Sequence, residues 1–239
     1  MIAVVVMFFS FDVSLTELWE YITKAGYWLA AILGLWCVLY LMNAWAWRVI
    51  IQGGGPCTVG FMQLLKLTVS GFALNYATPV GLLGGEAYRI MELSKYIGVQ
   101  RATSTVILFA MMHIFAHFWF WVTGVVVYCV MALMGDVPIN SGMGIVLGFI
   151  AAFCWGGIYL FIKGYKNGMT VKLVRLLSKI PGLRGWGGRF MERHLEDLQK
   201  IDRQIAELQN QNKRSFFGSF ALEYIGRFWQ SFEIFFLLV

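Results

Sequence analysis

Asn75-Tyr76-Ala77-Thr78-Pro79-Val80-Gly81-Leu82-Leu83-Gly84-Gly85-Glu86-Ala87-Tyr88-Arg89 is the stretch that decides how this chain folds. A proline, three glycines and an acid–base pair follow one another within a long apolar context. Proline removes a donor from the helical ladder, and glycine tolerates the turns that follow. The freed backbone groups can then meet a polar ligand. Glu86 and Arg89 are three residues apart, so on a helix beginning at Gly85 they share a face.

Around this stretch the chain is written for lipid. Apolar residues make up 59% of the 239 and charged residues 13%, with mean hydropathy +0.68. A water-soluble domain carries about a quarter of its residues charged. The deficit lies in long apolar blocks, which excludes an ordinary soluble fold and points to an all-α polytopic membrane protein. Aromatic residues at 17% suit interfacial belts. The net charge of +6 is no nucleic-acid signature, because twelve of the nineteen Lys and Arg fall between Lys163 and Arg214, interleaved with acids. That pattern reads as one cytoplasmic segment. Cys37, Cys57, Cys129 and Cys154 have no paired spacing and read as small packing residues.

A membrane domain is expected over 1–162, with spans at 27–47, 105–134 and 143–162. A basic cytoplasmic segment follows over 163–214, with an amphipathic helix at 189–211 whose stripe is Met191, Leu195, Leu198, Ile201, Ile205 and Leu208. Residues 215–239 read as the start of a second membrane half. The apolar start, Met1 to Phe9, is too short to span, and the chain stops inside an apolar run, so a larger domain cut at both ends is expected. Phe220-Ala221-Leu222-Glu223-Tyr224 echoes Phe72-Ala73-Leu74-Asn75-Tyr76, consistent with a partial internal repeat.

Parity then bears on the middle of the chain. Arg48, Lys95 and Arg101 all belong on the cytoplasmic side, so 58–96 begins and ends on one face. A second full span there would carry Glu86, Arg89, Glu92 and Lys95. Each charge at the bilayer centre costs about 2.5–3.5 kcal/mol. A re-entrant broken-helix hairpin is the expected alternative, entering over Val59 to Ala77, breaking at Thr78-Pro79-Val80-Gly81 and returning through Gly84-Gly85-Glu86. Irregular backbone at that depth needs protein or a wet cavity around it.

In that setting Glu86 and Arg89 pair with each other, or Arg89 reaches a lipid phosphate while Glu86 holds it. A structural ion pair capping a helix at the membrane edge is the plainer alternative. Lys66 either snorkels to the interface or adds a second cation to the cavity. His113 and His117 share a helix face, which suits helix–helix hydrogen bonding better than a metal. Glu223, Arg227 and Glu233 follow in the last block, with a Glu223–Arg227 pair plausible and no local partner for Glu233. No nucleotide loop, nucleophile elbow or zincin motif occurs, no cofactor or metal is expected, and no soluble catalytic domain is visible.

The pattern Asn-x3-Pro-x-Gly-x2-Gly-Gly-Glu-x2-Arg, followed by Gly98-Val99 and Arg101-Ala102, resembles the flippase-like membrane domain of lysylphosphatidylglycerol synthases, which also occurs alone in small bacterial and archaeal membrane proteins. Phe228-Trp229-Gln230-Ser231-Phe232-Glu233 is similar to that family's later glutamate-bearing segment. The resemblance implies a multi-pass protein of a prokaryotic cell membrane that moves a phospholipid, phosphatidylglycerol or its lysyl form, or another lipid-linked substrate, between leaflets. The headgroup site would comprise Asn75, Pro79, Gly81, Gly84, Gly85, Glu86, Arg89 and Lys66, with Glu223, Arg227 and Glu233 as partners from the second half. The alternatives are the membrane part of a phosphatidylglycerol lysyltransferase, which confers resistance to cationic peptides, and a scaffold for a lipid-modifying enzyme. Association of copies is open, and no nucleic-acid partner is expected of this region.

Overall fold

The computed structural model describes residues 15–56, 58–77, 82–138, 140–167 and 213–238, with 195, 196, 199, 202 and 203. These residues form six long helices: α1 (Leu15–Gly53), α2 (Phe61–Ala77), α3 (Leu82–Ile97), α4 (Val99–Met134), α5 (Ser141–Asn167) and α6 (Lys213–Leu238). The Thr78 to Gly81 break and nearly all of the 189–211 stripe lie outside the described residues. Among the described residues there is no strand.

Three helices are long and apolar enough to cross a membrane, over Gly26–Gly53, Val99–Met134 and Ser141–Lys163. The chain is an all-α, multi-pass membrane protein. Gly26 sits at φ 53, ψ −131 within α1, a left-handed conformation that glycine adopts without a Cβ penalty. It divides a charged front, where Lys24 pairs with Glu20 at 2.8 Å, from the apolar remainder.

The first span was expected over 27–47, but α1 continues to Gly53. Two causes extend it. Ile50 and Ile51 are buried in the core, and Arg101 of α4 caps the end, its Nη2 donating to Ile51 O (2.8 Å) and Pro56 O (3.2 Å). A cation there satisfies carbonyls that a helix C-terminus leaves without partners.

The second and third spans also outrun their expected limits. At 36 residues α4 is about 54 Å long, against a hydrocarbon core of about 30 Å. Gly135 at φ 85 ends it in a left-handed cap, and Asn140 starts α5 by accepting the Met143 N–H at 2.8 Å. The buried residues of α4 run from Ala102 to Ala116, so the core lies around its first half, with Trp47, Leu64, Leu67, Leu93, Phe109 and Met112 at its centre.

Helices α2 and α3, of 17 and 16 residues, are about 25 Å long each and pack on one another. Helix α3 begins at Leu82, three residues before the expected Gly85. Its Gly85 N–H, one of the donors that a helix start leaves open, is taken by Asn75 Oδ1 of α2 at 2.7 Å. A Cβ at Gly85 would run into the Gly71 carbonyl and lie 2.6 Å from Asn75 Oδ1. Glycine is thus what lets the two helices touch backbone to backbone. Helix α6 packs extensively on α1 and also on α4.

Candidate functional site

Arg89 is the first buried charge in the bundle. Its side chain is 1% exposed. Nη1 donates to Glu86 Oε1 at 2.9 Å and Nη2 to Thr68 O at 3.1 Å. Three rings from three helices surround the guanidinium, with Phe72 at 4.5 Å, Phe109 at 5.6 Å and Trp47 at 5.8 Å from Cζ. Cation–π contacts of this kind are worth up to about 2 kcal/mol when desolvated. Gly71 leaves the space that the guanidinium fills. One turn on, Glu92 and Lys95 form a second pair at 2.7 Å. The four charges of α3 therefore collapse into two neutral pairs.

A second polar cluster lies between α1, α2, α4 and α6, where a cavity of about 500 Å³, counted out to its open mouth, enters the bundle. Tyr40, Asn43, Tyr76, His113, Glu223, Arg227 and Gln230 form its polar lining, and Trp36, Leu39 and Phe72 part of its apolar wall. Glu223 is 1% exposed and ion-paired with Arg227 at 3.2 Å. His113 Nδ1 lies 2.9 Å from Glu223 Oε2, and Arg227 Nη1 donates to Gln230 Oε1 at 2.8 Å. Glu223 Oε1 and Arg227 Nε have no partner among the described residues. A buried carboxylate oxygen without a donor is costly, and a donor arriving through the cavity would satisfy it. The cluster thus offers an anion site and a donor site side by side.

The expected residues divide between these two regions and the surface. Asn75, Gly85, Glu86 and Arg89 meet at the α2–α3 contact, with Gly84 half-buried beside them. Pro79 and Gly81 lie outside the described residues, and Lys66 is exposed on α2. Glu223 and Arg227 line the cavity together. Glu233, which has no local partner in sequence, accepts a hydrogen bond from the Trp36 indole at 3.1 Å. His113 and His117 do bond across helices, to Glu223 and Arg227 of α6. Among the described residues no cluster of three His, Cys, Asp or Glu side chains is arranged to hold a metal.

Tyr40, Asn43 and Gln230 were not anticipated. Two of them had a signal: Asn43 is an isolated amide inside an apolar span, and Gln230 follows Glu223 by seven residues, two turns along the same face.

The family model of the lysylphosphatidylglycerol synthase TM region matches residues 1–239, the entire chain. No curated protein and no solved structure matches it.

Proposed function

This chain belongs to the lysylphosphatidylglycerol synthase transmembrane-region family, and from that premise we propose that it binds the headgroup of a phospholipid, phosphatidylglycerol or its aminoacylated form, and carries it between leaflets of a prokaryotic cell membrane. The observation that carries this reading is the buried Glu223–Arg227 pair at the wall of an open cavity, with Glu223 Oε1 unpartnered. A phosphate would accept from the Arg227 guanidinium, a strong charge-assisted contact. A headgroup hydroxyl or ammonium would donate to Glu223 Oε1. The acyl chains would stay in lipid outside the mouth. Glu86 and Arg89 serve this site from behind, holding α2 and α3 so that Phe72 and Tyr76 wall the cavity.

The short α2–α3 pair is read as the re-entrant hairpin, its length of about 25 Å per helix falling short of a full crossing. The enclosure of Leu64, Leu67 and Leu93 in the core is consistent with that reading, since backbone that breaks at depth has to be covered by protein.

The test is leaflet exchange of fluorescent phosphatidylglycerol in proteoliposomes. The charge-neutral double variant Glu223→Gln with Arg227→Gln keeps the shape of the pair without its charges. Exchange is expected to drop to the protein-free rate while the protein still elutes as a folded species. Exchange at the wild-type rate in that variant rejects the reading.

A further inference from the structure

Among the described residues the Glu223–Arg227 pair leaves two buried atoms open, one of each kind. Arg227 Nη1 donates to Gln230 Oε1 at 2.8 Å and faces His117 Nε2 at 3.3 Å. Nη2 donates to Glu223 Oε2 at 3.2 Å and lies against the edge of the His113 ring, 2.8 Å from Nδ1. Both terminal nitrogens are thus occupied, and Nε–H is left as the open donor of the guanidinium. Glu223 Oε1 is the open acceptor of the carboxylate. A ligand that completes the pair therefore brings an acceptor to a cation and a donor to an anion.

Charge decides which ligand fits. Glu223 and Arg227 cancel, Arg89 is cancelled by Glu86, and Glu233 is absent from the cavity wall. A purely anionic headgroup would add a net negative charge beside a buried pair, and burying an uncompensated charge is costly. A headgroup with one phosphodiester and one ammonium adds no net charge. Its phosphate would accept from Arg227 Nε–H and its ammonium would donate to Glu223 Oε1, so each charge meets its opposite. The rings of the wall agree with this. Trp36 and Tyr40, with centroids 5.8 Å apart, line the same cavity, and aromatic faces attract an ammonium.

We propose that this cavity selects a zwitterionic phospholipid headgroup, a phosphodiester with one primary ammonium, over an anionic one. This deepens the lipid reading above and rests on it. Glu223 is then the specificity-determining residue, because its charge sets what the headgroup has to carry beside the phosphate. Arg227 serves any phosphodiester alike. Phosphatidylglycerol still binds through its phosphate, with a hydroxyl in place of the ammonium at Glu223 Oε1, and binds more weakly.

Calorimetric titration of the purified protein in detergent, at about pH 7.5 where a primary alkylamine is protonated, tests this with three short-chain lipids. They are phosphatidylethanolamine, its N-acetyl derivative and phosphatidylglycerol. The last two are both anionic and lack the ammonium. Phosphatidylethanolamine is expected to bind about tenfold more tightly than either, the difference between a charged and a neutral hydrogen bond. In Glu223→Gln the order should invert, because Arg227 is left uncompensated and the anionic lipid now neutralises it. Phosphatidylglycerol binding as tightly as phosphatidylethanolamine to the wild type overturns the selectivity and leaves the lipid site standing. An unchanged order in Glu223→Gln overturns the assignment to Glu223. Glycerophosphoethanolamine, with the same charges and no acyl chains, should bind far more weakly; equal binding makes the ligand a free phosphodiester and overturns the lipid reading. No binding of any of these lipids overturns the lipid site and the selectivity together. The wild-type ranking decides even where the variant fails to fold.

Discussion

Arg89 on α3 and Arg227 on α6 each sit beside a glutamate of their own helix, three and four residues away, and the bundle treats them in opposite ways. Arg89 is sealed: three aromatic rings, the Thr68 carbonyl and Glu86 surround it, and it is absent from the cavity wall. Arg227 is held by three separate acceptors, Glu223, Gln230 and the Nε2 of His117, and it faces a cavity. The sealed pair has one arrangement, because moving the guanidinium would leave a buried charge among rings. The cavity pair has several acceptors within reach, so its arrangement can respond to a ligand. Burial of an ion pair alone does not mark a site; what its neighbours can exchange does.

The largest effect expected from breaking this contrast is on stability, at Arg89. Arg89→Met removes the cation and leaves Glu86 facing a ring-lined pocket. Removing one partner of a buried pair costs about 3–5 kcal/mol. Glu86 is 22% exposed, which relieves part of that, so the lower end is expected. A fall in the thermal midpoint in detergent checks it. The double variant Glu86→Gln with Arg89→Met should recover much of the loss, since no uncompensated charge remains. If Arg89→Met instead melts with the wild type and loses only leaflet exchange, Arg89 is a ligand-binding residue and the contrast with Arg227 collapses.

A somewhat smaller effect is expected at the two glycines of the α2–α3 contact. A Cβ at Gly85 meets the Gly71 carbonyl, a backbone atom that moves only if the helices separate. A Cβ at Gly71 meets the Arg89 side chain, whose far end is fixed by Glu86 and Thr68. Overpacking of this sort costs about 1–3 kcal/mol. Gly85→Ala should be the worse of the two and should also loosen the Asn75 cap on α3. Equal melting of Gly71→Ala and wild type would mean that Arg89 is free to move, and would weaken the description of it as sealed.

The sequence made the charge pairs readable, because these depend on local spacing. A helix brings residues three and four apart together, so Glu86–Arg89 and Glu223–Arg227 follow from position. The spans followed from apolar length, with boundaries short by several residues where a distant side chain intervened, as Arg101 does at Ile51. Distant partners were not legible. The box around Arg89 takes one ring each from α1, α2 and α4, and no periodicity links Trp47, Phe72 and Phe109. His113 joins Glu223 across 110 residues. The parity inference for 58–96 counted four separate charges on α3, whereas the fold pairs them, so the barrier it relied on is lower than the sequence suggested.

The smallest effect is expected where Glu233 meets Trp36, at the end of the polar stripe that runs from Glu223 through Arg227 and Gln230 along α6. Trp36→Phe removes one indole N–H and keeps most of the ring. A single hydrogen bond to a charged group contributes about 1.5–3 kcal/mol in general, and less where the acceptor keeps access to water. Glu233 is only half-buried, so a stability loss of about 1 kcal/mol is expected in a detergent melt. The same variant is informative about function, because Trp36 also walls the cavity. If the stripe acts as a unit, releasing Glu233 gives Arg227 a competing carboxylate one and a half turns away, and phosphatidylglycerol affinity should fall a few-fold alongside that small loss of stability. An unchanged affinity would confine the lipid site to the Glu223–Arg227 end and leave Glu233 as a packing residue of α6.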